Sequence, residues 1–270
     1  FLAEGHEKQE TYRVLNHNYS QSSTGTVYIE SSTVNAFELI DNADVFAEVP
    51  AASECEFVIK ANGSNYGEQS GLLVFDHERD QTAIRLNSKV LRPLDLSAAS
   101  LTWPFYSGTK GFIDPNTDHS EPWYGMNAGA AGTALSSGSI SHRERSVLLT
   151  YLKGPDEGSE KYLRFDAKVD SQLPDGLYTF INEAIVNAHS IGEANPHIAQ
   201  EAGQFNQWHS YQFSLTEDFN HIMFMYRKNR EGSAGSDRAL INNFRICSEI
   251  DQADASCTDM ENHFVNPADY

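Results

Sequence analysis

The sequence predicts an all-β fold: a two-sheet antiparallel β-sandwich of the jelly-roll kind, with one or two short helices. Three observations carry this. Near the C-terminus, Tyr211, Phe213 and Leu215 alternate with Ser210, Gln212 and Ser214, and Ile222, Phe224 and Tyr226 alternate with His221, Met223, Met225 and Arg227. Period-two alternation places one face of each strand in a core. Similar runs recur along the chain, about ten in all, joined by polar turns, the pattern of an antiparallel sandwich. Hydrophobic content of 40% and aromatic content of 11% supply a sizeable core. No apolar run approaches the ~18 residues of a membrane-spanning helix.

Taken in order, residues 1–25 are polar apart from Tyr12-Arg-Val-Leu15 and read as an N-terminal arm. The opening Phe1-Leu-Ala-Glu-Gly-His is too short and polar for a signal peptide, so any such segment is expected to have been removed. Strand-like runs follow at 26–30, 43–49, 55–61 and 71–75, separated by Asp41-Asn42, Pro50 and Asn62-Gly-Ser-Asn. In residues 82–91, Ile84, Leu86 and Val90 share one face, and Arg85, Asn87 and Lys89 the other. Residues 103–139 form a long loop rich in aromatics and then in Gly, Ala and Ser; loops of this length are commonly functional. Strands resume at 146–153 and at 161–169, where Leu163, Phe165, Ala167 and Val169 oppose Arg164, Asp166 and Lys168. Pro174-Asp-Gly is a turn before 177–181. Within 182–203 a short helix is expected, because Ile181, Ala184, Ile185 and Ala188 have helical spacing. The final run, 240–246, carries Asn242-Asn243 in its middle. The expected organisation is an arm (1–25), a sandwich (26–247) and a tail (248–270).

Asp237-Arg-Ala-Leu-Ile-Asn-Asn-Phe244, followed by Cys247, resembles the closing strand of concanavalin A-like and MAM-type sandwiches. The likeness covers about residues 205–247, with an echo at Tyr162-Leu-Arg-Phe165. It implies the fold. It leaves the activity open, since sandwiches of this kind serve in lectins, binding modules, adhesins, glycosidases and polysaccharide lyases.

Net charge is -19, from 38 acidic and 19 basic residues, which repels nucleic acid. Of three cysteines, Cys247 and Cys257 would pin the tail to the last strand; Cys55 paired with Cys247 is the alternative. The spacing fits no zinc motif. This cysteine usage, with low Lys and many small polar residues, predicts a secreted, extracellular protein.

Three constellations are candidates for chemistry. Asp114, Asn116, Asp118 and Glu121 place oxygen ligands at positions 1, 3, 5 and 8 of one loop, a set that suits Ca²⁺. It is no EF-hand, because His119 takes the sixth position and Gly125 the twelfth. Around that loop, Trp103, Phe105, Tyr106, Trp123 and Tyr124 could stack on sugar rings or plug the end of the sandwich. Arg85, Lys89, Arg164 and Lys168, with His221 and Arg227, would make a positive groove for an acidic polysaccharide if their strands were neighbours. In a lyase, Arg164 would neutralise a uronate carboxylate while His209, Tyr211 or His221 moved the proton.

Three functions are therefore expected in this order. The first is a secreted, calcium-stabilised sandwich that binds carbohydrate or cell-surface polysaccharide, or adheres to it. The second is a polysaccharide lyase acting on uronates by β-elimination. The third is a fibre subunit that self-associates by strand exchange through its N-terminal arm.

Overall fold

The computed structural model describes residues 1–16, 21, 23–31, 33–40, 46–77, 80–97, 103–110, 122–128, 132–157, 159–171, 175–182, 184–190, 207–228, 235–249 and 256–265. Most of them lie in strands, as the alternation predicts. In place of one domain between an arm and a tail, the chain divides into two compact units, Phe1–Leu91 and Arg92–Tyr270.

The first unit contains β1 (Leu2–Ala3), β2 (Glu7–Leu15), β3 (Ser23–Ser31), β4 (Phe37–Leu39), β5 (Phe46–Val49), β6 (Glu54–Asn62), β7 (Gly67–His77) and most of β8 (Asp80–Pro93). One sheet runs β8-β7-β3-β5, with β1 parallel to the end of β8; the other runs β2-β6-β4. Val27, Leu73 and Leu86 from the first sheet meet Phe57 and Ile59 from the second in a small core. The predicted arm is thus no separate element. Residues 7–15 pair along their length with β6, from Glu7 opposite Asn62 to Leu15 opposite Glu54. Tyr12 lies flat against Phe57, with ring centroids 6.0 Å apart.

The second unit holds β9 (Tyr106–Lys110), β10 (Tyr124–Asn127), β11 (Thr133–Ser136), β12 (Arg145–Lys153), β13 (Lys161–Asp170), β14 (Gly176–Ile181), β15 (Ala184–Ser190), β16 (His209–Leu215), β17 (Phe219–Arg227), β18 (Arg238–Cys247) and β19 (Cys257–Asp259). One sheet runs β15-β14-β17-β12-β9, and the other β10-β11-β18-β13-β16 with β19 on β18. Leu148, Ile222 and Phe224 of the first pack on Leu163, Phe165, Ile241 and Phe244 of the second. The expected helix is corrected in part: residues 184–190 form β15, paired with β14, and 191–203 lie outside the described residues. Helical spacing of four apolar residues did not outweigh pairing with a neighbouring strand.

The Asn242-Asn243 step has a geometric reason. Register shifts between Arg164 and Asp166, so β18 carries an extra residue at this point. Asn243 takes φ 52°, a left-handed conformation that Asn tolerates. The shift lets both Ile241 and Phe244 face the core, although they are three apart. Past β18, Cys247 and Cys257 form the disulfide that pins the tail, and Phe264 packs against the core. Cys55 is free.

Candidate functional site

A cleft of about 280 Å³ opens between the two sheets of the first unit. Its floor follows from strand register. On β2, Lys8, Glu10, Tyr12 and Val14 share one face. Tyr12 and Val14 pack on the core, while Lys8 and Glu10 stand where a sandwich normally places apolar residues. Lys8 is the register partner of Ala61, and Ala61 of Phe37. The small Ala61 between them leaves the two sheets unfilled. Phe1, Leu2, Ile59 and Leu86 complete the apolar wall, and Arg85, Asn87 and Ser88 of β8 form the opposite rim.

The polar groups are partly pre-arranged. Lys8 Nζ lies 3.0 Å from Glu10, and the Tyr12 hydroxyl donates to Glu10 Oε2 at 3.1 Å. Burial, then the Glu10 carboxylate, pushes the Tyr12 phenol above its ordinary range. Ser88 Oγ donates to Gln69 Oε1 at 2.7 Å, which holds that rim. Among the described residues no hydrogen bond or ion pair reaches the Arg85 guanidinium. The cleft therefore offers ring faces beside fixed donors and acceptors, the composition of a small-molecule site, at the small end of the usual size range. Glu10 supplies a carboxylate to its lining.

The sequence-predicted residues divide as follows. Arg85 lies on the cleft. Trp123 is 0% exposed and so cannot stack on a ligand. Trp103 packs edge-on against Phe244 at 5.7 Å and tilts against Phe105. Tyr106 meets Tyr151 at 6.4 Å, and burial raises its phenol pKa. The Tyr124 hydroxyl accepts from Arg238 at 2.6 Å. Trp103 and Trp123 thus pack in the core of the second unit's sandwich, so of the two roles expected of the aromatics these two take the plug and not the sugar platform. Asp114, Asn116, Asp118 and Glu121 lie outside the described residues. Among the described residues no group of three or more His, Cys, Asp or Glu could hold a metal ion.

The basic residues do not share a strand pair. Arg85 and Lys89 are on β8, Arg164 and Lys168 on β13. Lys89 is only 6% exposed; it stands 3.7 Å from Glu68 and over the Tyr66 ring. A buried, paired lysine is structural, against the sequence expectation of a groove residue. Arg164 and Lys168 flank Asp166, which accepts from Asn243 Nδ2 at 3.0 Å and from Ser210 Oγ at 2.5 Å. The lyase set is likewise split: His209, Tyr211 and Arg164 belong to one sheet of the second unit, and His221 to the other. Tyr211 packs on Phe165, and burial raises its phenol far above any working range. A tyrosine held protonated in this way is a poor base.

Sequence reasoning missed Phe1, Lys8, Glu10 and Phe37, because residues 1–25 read as an arm. The available signal was the alternation Lys8, Glu10, Tyr12, Val14. It places two charges on the same face as two core residues.

No family model matches the chain, and no curated protein matches it. Among solved structures it is similar in fold to the secreted serine protease VesC from Vibrio cholerae, with a TM-score of 0.50 and 13% identity, covering 92% of this chain and 49% of that one. The chain thus spans about half the length of that protease, and at this identity the likeness is of fold alone. A carbohydrate-binding module of the β-sandwich superfamily aligns with a TM-score of 0.36 at 9% identity, over 88% of this chain and 97% of that one. The tandem carbohydrate-binding modules of the family 98 glycoside hydrolase from Streptococcus pneumoniae reach 0.31 at 10%, over 91% and 78%. Likenesses at those scores carry no argument about ligand.

Proposed function

We propose that the chain binds carbohydrate without cleaving it, through the cleft of its first unit. One observation carries this: Lys8 and Glu10 occupy inward positions of a sandwich strand, beside the rings of Phe1, Tyr12 and Phe37, in a space that Ala61 leaves open. Both charges keep much of their exposure, 37% and 52%, as groups on the wall of an open cleft do. Sugar rings stack their C–H faces on aromatic rings, while neighbouring polar groups orient the hydroxyls. The proposal retains calcium at Asp114, Asn116, Asp118 and Glu121 on ligand chemistry alone, and an extracellular setting on composition.

A glycan array, with and without EDTA, followed by titration calorimetry on the strongest binder, tests the reading. Lys8→Ala and Asn87→Ala are expected to weaken binding by about tenfold each, the worth of one charged or well-placed hydrogen bond. Full-strength binding in both variants would place the ligand elsewhere. An array with no signal would remove the function. Loss of binding in EDTA alone would support the calcium part.

A further inference from the structure

Among the described residues, the second unit carries a cationic pair that no hydrogen bond or ion pair engages. Arg145 of β12 and Arg227 of β17 are direct register partners in an antiparallel ladder. Lys110 of β9 is the partner of Arg145 on its other side, and Gly176 of β14 that of Arg227. One row across four strands therefore reads Gly176, Arg227, Arg145, Lys110. Directly opposed side chains stand about 5 Å apart at Cβ, and like charges at that spacing destabilise a sheet.

Carboxylates are not scarce in this chain: 38 acidic residues face 19 basic ones. Elsewhere cations find them, as Arg13 does Glu56 at 2.7 Å, Lys60 Glu38 at 2.8 Å and Lys228 Asp237 at 2.6 Å. Yet among the described residues no hydrogen bond or ion pair reaches Arg145 or Arg227. Arg145 is also partly buried. Burial, then the charge of Arg227, holds its guanidinium below the usual range. Tyr178 of β14, the partner of Met225, lies on the same face as the two arginines, and its interaction with Arg145 adds a phenol beside the pair. The register partner of Arg227 on its other side is a glycine, which brings no side chain to the pair.

We propose that Arg145 and Arg227 form an oxyanion-binding site, taking the carboxylate or sulfate group of an acidic ligand between two guanidinium forks. Two planar donors side by side match such a group in charge and geometry. An anion there converts a repulsive pair into a bridged one. The site lies wholly within the second unit and does not depend on the carbohydrate reading of the first.

The test uses the whole chain and its tryptophan melting, since all three tryptophans (Trp103, Trp123 and Trp208) fall in the second unit. Sodium sulfate and sodium galacturonate are compared with sodium chloride at equal ionic strength. The expected result is a midpoint that rises with sulfate, galacturonate or both, and does so far less in Arg227→Gln. Arg227→Gln is also expected to melt higher than the parent in low salt, because it removes the like-charge contact; a merely structural arginine would melt lower. In calorimetry each Arg→Gln change lowers affinity by about ten- to a hundred-fold, and Arg227→Lys restores part of it. A response to galacturonate alone assigns a carboxylate, and one to sulfate alone a sulfate ester. No response from the parent, or equal responses in parent and Arg227→Gln, overturns the proposal.

Discussion

Asp237→Asn is expected to destabilise the second unit by about 3 kcal/mol, the low end for breaking a buried ion pair. Lys228 is 4% exposed, and its Nζ lies 2.6 Å from Asp237 Oδ2. Ser171 Oγ bridges Asp237 Oδ1 at 3.0 Å and Asp175 Oδ2 at 2.5 Å, and accepts from the Tyr226 hydroxyl at 2.9 Å. Asparagine preserves the size of the side chain and tolerates the left-handed φ of 53° at this position. The substitution therefore removes the charge and little else, and leaves the buried ammonium without the carboxylate 2.6 Å away. The low end applies because the Asp237 side chain retains 20% exposure. For a unit of this size each kcal/mol moves the midpoint by about 2–4 °C, so the expected drop is about 6–12 °C. Tryptophan fluorescence during heating reads it from the second unit alone. Adding Lys228→Met to Asp237→Asn should recover much of the loss, because a buried apolar side chain replaces a buried charge that has lost the Asp237 carboxylate. An Asp237→Asn midpoint within about 2 °C of the parent, or a double variant lower than the single, would refute the reasoning.

Cys257→Ser opens a loop of sequence separation 10. Loop-closure entropy puts the cost at about 3 kcal/mol, measurable as a lower urea midpoint and matched by mild reduction of the parent. His263 provides a pH dependence. Burial, then Lys161 and Lys153, holds its imidazole below the ordinary value of 6.5. Its stabilising neutral form is therefore fully present above pH 6.5, and stability falls as pH drops from there towards the lower folded pKa. His263→Gln should flatten that part of a stability–pH curve; an unchanged slope would assign it to other groups.

Much of the scaffold was legible from side-chain period alone. The runs at 146–153, 161–169, 211–215, 221–227 and 240–246 all fall on strands, and of the two cysteine pairings the sequence left open the structure forms Cys247–Cys257. The period failed where its premise failed. Residues 7–15 look polar because their inward face carries Lys8 and Glu10, which line a cleft and not a core. Lys89 looks exposed by alternation, yet Glu68 and Tyr66 bury it. Arg227 was visible as a basic position, but Arg145 was not, since nothing in a linear sequence shows that residues 82 apart are register partners.

The sequence by itself determined that the chain is β and which faces of most strands meet a core, and its charge set the expectation that nucleic acid is no partner. Those properties depend on local period and summed charge, which a single strand or a residue count expresses. Only the tertiary structure decided that the chain forms two units and that aromatic residues 103 and 123 belong to a core. It alone also brought Lys8 and Glu10 beside Phe37, and Arg145 against Arg227. The physical reason is that these are non-local pairings. Period two says which way a side chain points, but strand order and register decide what it meets.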